Sequence, residues 1–160
     1  MIFPQELANK GLSLSNVDEQ DFIDYLVIKK ACYEKYVDEY FGSWVDEVQL
    51  MMQTKEFNES RKRSCFKKIL MNGETVGFFT FEELDETVDG VSVQIIEKAQ
   101  NMGVGSFYLN QIISLSVRTR KPIVLRVFKS NPAQNLYKRF GFYTFDETFS
   151  HYMMRYDPIA

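Results

Sequence analysis

Two stretches decide the fold of this chain: Gln100–Gly105, which reads QNMGVG, and Asn131–Phe142, which reads NPAQNLYKRFGF. An apolar strand over Val91–Ile96 is expected to lead into the first stretch. Gly103 and Gly105 lack Cβ atoms, so a tight turn there can bring backbone N–H groups close to a ligand. Apolar residues at helical spacing follow the turn: Val104, Phe107, Tyr108, Ile112 and Leu115. The turn is therefore predicted at a helix N-terminus, which favours binding of a pyrophosphate.

The second stretch follows another apolar run, Ile123–Phe128, which is predicted to be a mostly buried strand. Ser130–Pro132 reads as a helix cap with proline at the first helical position, and Gly141 ends the helix. Taken alone, Tyr137 would be an ordinary aromatic residue packed under a sheet. The glycine turn upstream makes a functional role for Tyr137 the preferred interpretation.

Together, Gln-x-x-Gly-x-Gly and Asn-Pro-Ala-x-x-Leu-Tyr-x-x-x-Gly-Phe resemble the signature of the GCN5-related N-acetyltransferase (GNAT) superfamily. These enzymes transfer an acetyl group from acetyl-CoA to an amine. The resemblance implies a mixed α/β fold, with a central, mostly antiparallel sheet that is splayed at the acyl-CoA cleft and flanked by helices. It also implies a single domain over residues 1–160.

The resemblance further implies a set of cofactor contacts. Backbone groups of Ile95 and Glu97 would bind the pantetheine and thioester region, and Asn131 would help to hold the cofactor. The pyrophosphate would lie against the turn formed by Asn101, Met102, Gly103, Val104, Gly105 and Ser106. The chain departs from the family pattern at Asn101, where glycine is commonest, at Glu97, where proline is frequent, and at Ala99, where an aromatic is often found.

The chemistry that such a site would support is direct transfer in a ternary complex. A neutral amine would attack the thioester, and a backbone N–H near Ile95 would stabilise the developing oxyanion. Tyr137 is the candidate catalytic acid, with an ordinary pKa of about 10 against about 8.5 for a typical thiol. Glu82 or Glu83 could act as the base through water, although either could equally be a solvated strand end.

Aromatic residues recur at three- and four-residue steps in the helical region after residue 30. An amphipathic helix with an aromatic core face explains this spacing. Alternatively, the segment from Tyr40 to Trp44 could form an aromatic and acidic lip for a cationic amine. The candidate acceptor-binding residues are Tyr40, Trp44 and Glu82. His151 is the only histidine and is expected to be packed or to face the acceptor, and no metal site is expected.

Composition agrees with one enzyme domain in the cytoplasm. The chain has 160 residues, of which 45% are hydrophobic, a net charge of −3 and a pI of about 5.3. This charge would repel nucleic acid and anionic membranes. The basic residues between Arg61 and Lys68 are interpreted as a solvated loop and strand edge, with a contact to the 3′-phosphate of CoA as the alternative. Cys32 and Cys65 lack disulfide or metal spacing, and no secretory signal or membrane span is evident.

Local signals predict the remaining elements. A strand is expected near Leu12–Leu14, and a helical region capped by Asn16 or Asp18 is expected to continue toward Gln53. Asn72-Gly73 is the strongest hairpin signal in the chain and lies between two apolar runs. Those runs are Phe66–Met71 and Thr75–Phe81, and the final predicted strands are Phe142–Phe145 and Phe149–Tyr156.

Three functional hypotheses follow. The first is an acetyl-CoA-dependent N-acetyltransferase that acts, as a monomer or homodimer, on a small-molecule or peptide amine. The second is a non-catalytic acyl-CoA-binding or regulatory module of the same fold. The third, an unrelated nucleotide-binding enzyme, is disfavoured because neither G-x-x-x-x-G-K-[ST] nor G-x-G-x-x-G is present.

Overall fold

A seven-stranded sheet forms the centre of the protein, in a computed structural model that describes residues 1–159. Its strands are β1 Leu12–Asn16, β2 Cys65–Met71, β3 Glu74–Glu83, β4 Val88–Ile95, β5 Ile123–Phe128, β6 Tyr143–Glu147 and β7 His151–Tyr156. They are ordered β1-β2-β3-β4-β5-β7-β6, and every neighbouring pair is antiparallel except β4 and β5. The helices are α1 Gln5–Ala8, α2 Phe22–Phe41, α3 Asp46–Ser60, α4 Val104–Thr119 and α5 Ala133–Arg139. The predicted mixed α/β architecture is confirmed.

The hairpin between β2 and β3 turns at Asn72 and Gly73, as predicted. Their φ angles are 52° and 82°, so both turn residues have left-handed backbone. Asparagine and glycine tolerate this conformation best, and the pair matches the twist of the flanking strands. The turn thereby sets the register of β2 against β3.

The predicted helical region before β2 is confirmed: it consists of two helices, and the second includes Gln53. Gly42, at φ 93°, ends α2, and the backbone N–H of Trp44 donates to Asp38 Oδ1 at 2.7 Å. A short 3-10 turn precedes α2, and its predicted cap is confirmed because Asp18 Oδ1 accepts from the Gln20 N–H at 2.8 Å. The break leaves room between α2 and α3 above the sheet.

Each face of the sheet carries its own apolar core. On one face, α2 and α3 pack through Tyr25 and Phe57 against Phe78 of β3. On the other face, a larger cluster joins Phe79 and the strands around it to α4, with the Phe79 and Tyr108 rings stacked at 4.7 Å. Consecutive residues such as Phe78 and Phe79 point to opposite faces because side chains alternate along a strand. Across residues 1–159, none of the helices has both the length and the hydrophobicity needed to cross a bilayer.

Candidate active site

The sheet opens between its two parallel strands. β4 and β5 pair at Val88 with Ile123 and at Val91 with Leu125, and no pairing of these strands continues beyond that point. The Ile96 N–H donates to the Val76 carbonyl on the β3 side at 2.9 Å. Because N–H groups alternate in direction along a strand, those of Val93 and Ile95 point into the gap.

A cavity of about 640 Å³ lies at this gap. Both open strand ends line it, through residues 91–93 of β4 and 126–128 of β5. Tyr137 reaches the cavity from α5, Trp44 from the break after α2 and His151 from β7. Residues far apart in sequence therefore meet at the point where the sheet is open.

Tyr137 is buried, and its ring packs 5.9 Å from that of Phe142. Burial raises the pKa of its hydroxyl well above the usual range, and the nearby Tyr33 adds to the shift. No hydrogen bond between the Tyr137 hydroxyl and the protein contributes to this pKa shift. Tyr137 therefore presents a protonated hydroxyl to the cavity at neutral pH.

His151 also lines the cavity, in agreement with the expectation that it is packed or faces the acceptor. Its ring lies 4.1 Å from that of Phe128, and its Nδ1 lies 2.7 Å from Ser150 Oγ. Burial lowers the pKa of the imidazole below its ordinary 6.5, and the positive charge of Arg126 lowers it further. The ring is therefore neutral at pH 7. In the part of the chain that the structure describes, no three His, Cys, Asp or Glu residues cluster closely enough to hold a metal ion.

The glycine turn forms the N-terminus of α4, as predicted. Gly103 caps the helix at φ 97°, no side chain caps it, and its first turn contains no acidic residue. Asn101 is also left-handed, at φ 61°, which asparagine tolerates. The unpaired N–H groups and the positive helix end fit a pyrophosphate. A Cβ on Gly105 would lie 3.1 Å from Leu136 Cδ2, so this glycine also permits close packing of α5.

Side chains hold the rest of this turn in place. Gln100 Nε2 donates to the Ile95 carbonyl at 2.9 Å, and Lys10 Nζ donates to the Met102 carbonyl at 3.1 Å. Glu97 is exposed in a short 3-10 turn before it, and Val104 is buried, so only its backbone is available to a ligand. Ser106, in the first turn of α4, is partly buried.

Asn131 lines the cavity where β5 leads into α5. Its Oδ1 accepts from the Ala133 N–H at 2.9 Å, so part of its role is to shape the start of α5. The amide nitrogen of the same side chain has no hydrogen-bond partner within residues 1–159.

The two backbone N–H groups that face the gap have different surroundings. The Cys32 thiol lies against the Ile95 N–H, and burial raises the pKa of this thiol to about 11. Val93 lines the cavity together with Tyr137, whereas Ile95 does not line it. Sequence reasoning missed Val93, although strand alternation places it two residues before Ile95 with the same orientation.

The predicted acceptor residues and bases are dispersed. Trp44 lines the cavity, whereas Tyr40 does not. The Tyr40 ring is stacked on that of Phe128, with centroids 5.8 Å apart. Glu82 lies opposite Asp89 at the end of β3, outside the cavity lining. Glu83 accepts a hydrogen bond from Lys121 Nζ at 2.8 Å, which gives it a structural ion pair.

Two cationic residues of the cavity were missed by sequence reasoning. Lys29 reaches it from α2 and Arg126 from β5. Neither belongs to a local motif, and α2 and β5 meet only in the folded chain. Within the predicted basic stretch, by contrast, Arg63 pairs with Glu56 at 3.4 Å and Lys68 with Asp21 at 2.8 Å.

Comparison with known proteins identifies the family. Residues 29–142 match the model of the acetyltransferase (GNAT) family. The chain belongs to the GNAT acetyltransferase family. This match includes the glycine turn, both strands of the gap and α5, and no curated protein sequence matches this acetyltransferase-family chain.

Solved structures of the same fold come from several organisms. PaiA N-acetyltransferase from Thermoplasma acidophilum, in complex with coenzyme A, is 12% identical with a TM-score of 0.69 over 91% of this chain and 98% of that one. The ribosomal-protein-S18-alanine N-acetyltransferase from Escherichia coli is 15% identical, with a TM-score of 0.68 over 93% and 96%. YncA, a putative acetyltransferase from Salmonella typhimurium with its cofactor acetyl-CoA, is 19% identical, with a TM-score of 0.57 over 92% and 94%.

Proposed function

We propose that this GNAT-family protein is an N-acetyltransferase that moves an acetyl group from acetyl-CoA to a primary amine. The observation that carries the proposal is the convergence of Val93, Tyr137 and His151 on one cavity at the open end of β4 and β5. This arrangement combines an unpaired backbone donor, a protonated hydroxyl and a neutral imidazole. Family membership supports acetyl-CoA as the acyl donor.

The acyl donor would bind along the opening of the sheet. The N–H groups of residues 103–106 would receive its pyrophosphate, and Asn131, between β5 and α5, would help to hold the rest of the cofactor. The backbone of β4 would hold the pantetheine arm. When bound, acetyl-CoA supplies an activated acetyl group as a thioester, and every other contribution comes from this chain.

Val93 is proposed to stabilise the negative charge that develops on the thioester carbonyl oxygen. Its N–H points into the gap and would donate to the carbonyl oxygen as negative charge develops there. A backbone donor held by a sheet needs no reorganisation at the moment of reaction. We place this role at Val93 rather than at Ile95, two residues downstream, because Val93 lines the cavity and Ile95 does not.

His151 is the proposed base. In the balanced reaction an N–C bond forms, the C–S bond breaks, the amine loses one proton and the sulfur gains one. The neutral imidazole can accept the amine proton, whereas neither Glu82 nor Glu83 lines the cavity.

Tyr137 is the proposed acid. Ordinary pKa values alone disfavour its role, since a phenol at about 10 is a weaker acid than a thiol at about 8.5. Burial does not reverse this order, because it raises the pKa of Tyr137 and would also raise that of a thiol beside it, as it raises that of Cys32 to about 11. The role proposed for Tyr137 therefore begins with a hydrogen bond rather than with a free proton transfer. Tyr137 would first donate a hydrogen bond to the leaving sulfur and then transfer its proton.

Thiol release from acetyl-CoA, measured across a panel of primary amines, tests the proposal. Amine-dependent release together with mass spectrometry of the acetylated amine is the expected result. Tight CoA binding without turnover on any amine would instead support the non-catalytic module. No CoA binding would exclude both.

A further inference from the structure

The acceptor side of the cavity is cationic. Lys29 and Arg126 contribute to its lining, whereas no aspartate or glutamate among residues 1–159 does so. Two aromatic residues of the segment predicted as a lip, Phe41 and Trp44, line the cavity. The acidic residues near that segment do not line it. Asp38, for example, holds the Trp44 backbone.

Neither cation has a carboxylate partner within ion-pair distance in the described structure. The Lys29 ammonium lies instead over the rings of Tyr25 and Tyr33, at 5.4 and 5.1 Å from their centroids. Glu56 is the acidic group with the strongest effect on Lys29, but it pairs with Arg63 at 3.4 Å. Lys29 is partly buried, so its ammonium group is only partly hydrated. It also has no carboxylate within ion-pair distance among residues 1–159.

Arg126 lies on the same side of the sheet as Lys29. Its neighbours along β5, Leu125 and Val127, are buried in the core with α4, so Arg126 faces α2 and α3. The glycine turn belongs to α4, on the opposite side. The two cations are therefore separate from the proposed pyrophosphate site and adjoin the space left for the acceptor.

We infer that the acceptor is a small amine that also carries a carboxylate and an apolar group, as an amino acid does. This inference rests on the proposed function and specifies its substrate class. Lys29 and Arg126 bind the carboxylate by charge-assisted hydrogen bonds, and Val37, Phe41 and Val48 pack against the apolar group. A cavity of about 640 Å³ is in the size range of small-molecule binding sites.

Matched acceptors test the inference through turnover. L-Phenylalanine and 2-phenylethylamine, or L-leucine and 3-methylbutylamine, differ only by the carboxylate. At saturating acetyl-CoA, kcat/KM should be at least about tenfold higher for the amino acid in each pair, the usual worth of a charge-assisted contact. Equal values, or a preference for the amines or for peptides, would overturn the inference while leaving the acetyltransferase proposal intact.

Calorimetry provides a readout that does not depend on turnover. 3-Phenylpropanoate is titrated into the protein with and without CoA and compared with the uncharged 3-phenylpropanamide. The carboxylate should bind at least about tenfold more tightly. Equal affinity, or no binding of either compound by protein that binds CoA, would contradict the inference.

Variants of Lys29 and Arg126 test whether these two residues cause the preference for the carboxylate. Lys29→Met and Arg126→Met should each weaken 3-phenylpropanoate binding about tenfold without changing amide binding, and Arg126→Lys should retain most of the affinity. Lys35→Met is the matched control, because Lys35 also lies on α2 over an aromatic ring, 5.0 Å from the Tyr36 centroid, but outside the cavity. Full carboxylate affinity in the double variant Lys29→Met/Arg126→Met would overturn the assignment.

Discussion

At the scale of single residues, two buried tyrosines, Tyr108 and Tyr137, differ in the hydrogen bonding of their hydroxyl groups. The Tyr108 hydroxyl accepts from the Ser92 N–H at 3.3 Å and donates to the Thr80 carbonyl, where it bridges an irregularity between β3 and β4. The pKa shift of Tyr137 has no hydrogen-bond contribution from the protein. Sequence alone cannot separate these roles, because both tyrosines occur at helical spacing among apolar residues.

Tyr137→Phe keeps the ring and its packing but removes the proton. We expect kcat to fall about 10²-fold, the typical effect of losing a general acid, with little change in melting temperature. Tyr108→Phe is the control and should cost about 1–3 kcal/mol of stability, because it leaves buried polar groups unsatisfied. An unchanged rate in Tyr137→Phe, with chemistry rate-limiting, would return Tyr137 to a structural role.

His151→Gln tests the proposed base through the pH dependence of kcat/KM. A base acts in its neutral form, and the pKa of His151 lies below 6.5, so the wild-type kcat/KM, calculated on the concentration of neutral amine, should fall as the pH drops below that value. The variant should lose about 10²-fold in rate and lack this acidic limb when assayed with the same acceptor. Glu82→Gln should keep both the rate and the limb. The opposite pattern would identify Glu82 as the base.

Lys29→Met should stabilise the protein while impairing acceptor binding. Desolvation lowers the pKa of Lys29 from 10.5 to about 8, so folding disfavours its charged form. The cost is therefore present in full below pH 8 and disappears as the pH rises toward 10.5. We expect a gain on the order of 1 kcal/mol in the free energy of unfolding at pH 7, measured by urea denaturation. Lys35→Met should give none.

At the scale of elements, sequence patterns predicted most of the architecture because each pattern has a local cause. The Asn72-Gly73 turn requires left-handed backbone, and the periodicity of residues 104–115 fixes the buried side of α4. The residue at which α2 ends was not predicted, although Gly42 adopts the positive φ that ends it. The short helix α1, Gln5–Ala8, was also missed, since four residues carry too little periodicity.

The glycine turn should be sensitive to a single methyl group. Gly103→Ala places a Cβ at φ 97°, which we expect to cost about 1–2 kcal/mol and to weaken CoA binding by reshaping the turn. Gly73→Ala is the control, since φ is 82° there and nothing lies within 4 Å of the new Cβ. Both variants should melt earlier, but calorimetry should detect weaker CoA binding only for Gly103→Ala. Equal CoA affinities would separate the turn from the cofactor.

At the scale of the whole molecule, the cofactor should stabilise the fold by mass action. CoA or acetyl-CoA at 100 times its dissociation constant would add about 2.7 kcal/mol to the free energy of unfolding. A clear rise in melting temperature with either compound is therefore expected, whereas ATP and NAD should have little effect. Identical melting curves with and without saturating CoA would contradict the cofactor assignment.

The acceptor side shows where prediction from sequence stopped. Lys29 and Arg126 come from α2 and β5, and only the fold brings these two residues to one cavity. The glycine turn was predictable because the turn and the helix it begins are continuous in sequence. Acceptor residues depend instead on how two helices cross one face of the sheet, which no local pattern encodes.

The position of Trp44 has an optical consequence. It is the only tryptophan in the chain, and it lines the cavity beside the proposed acceptor site. Its indole Nε1–H donates to Asp46 Oδ1 at 3.0 Å, which orients the ring at the start of α3. Selective excitation of tryptophan therefore monitors this one cavity, and intrinsic fluorescence can follow acceptor binding without an introduced label.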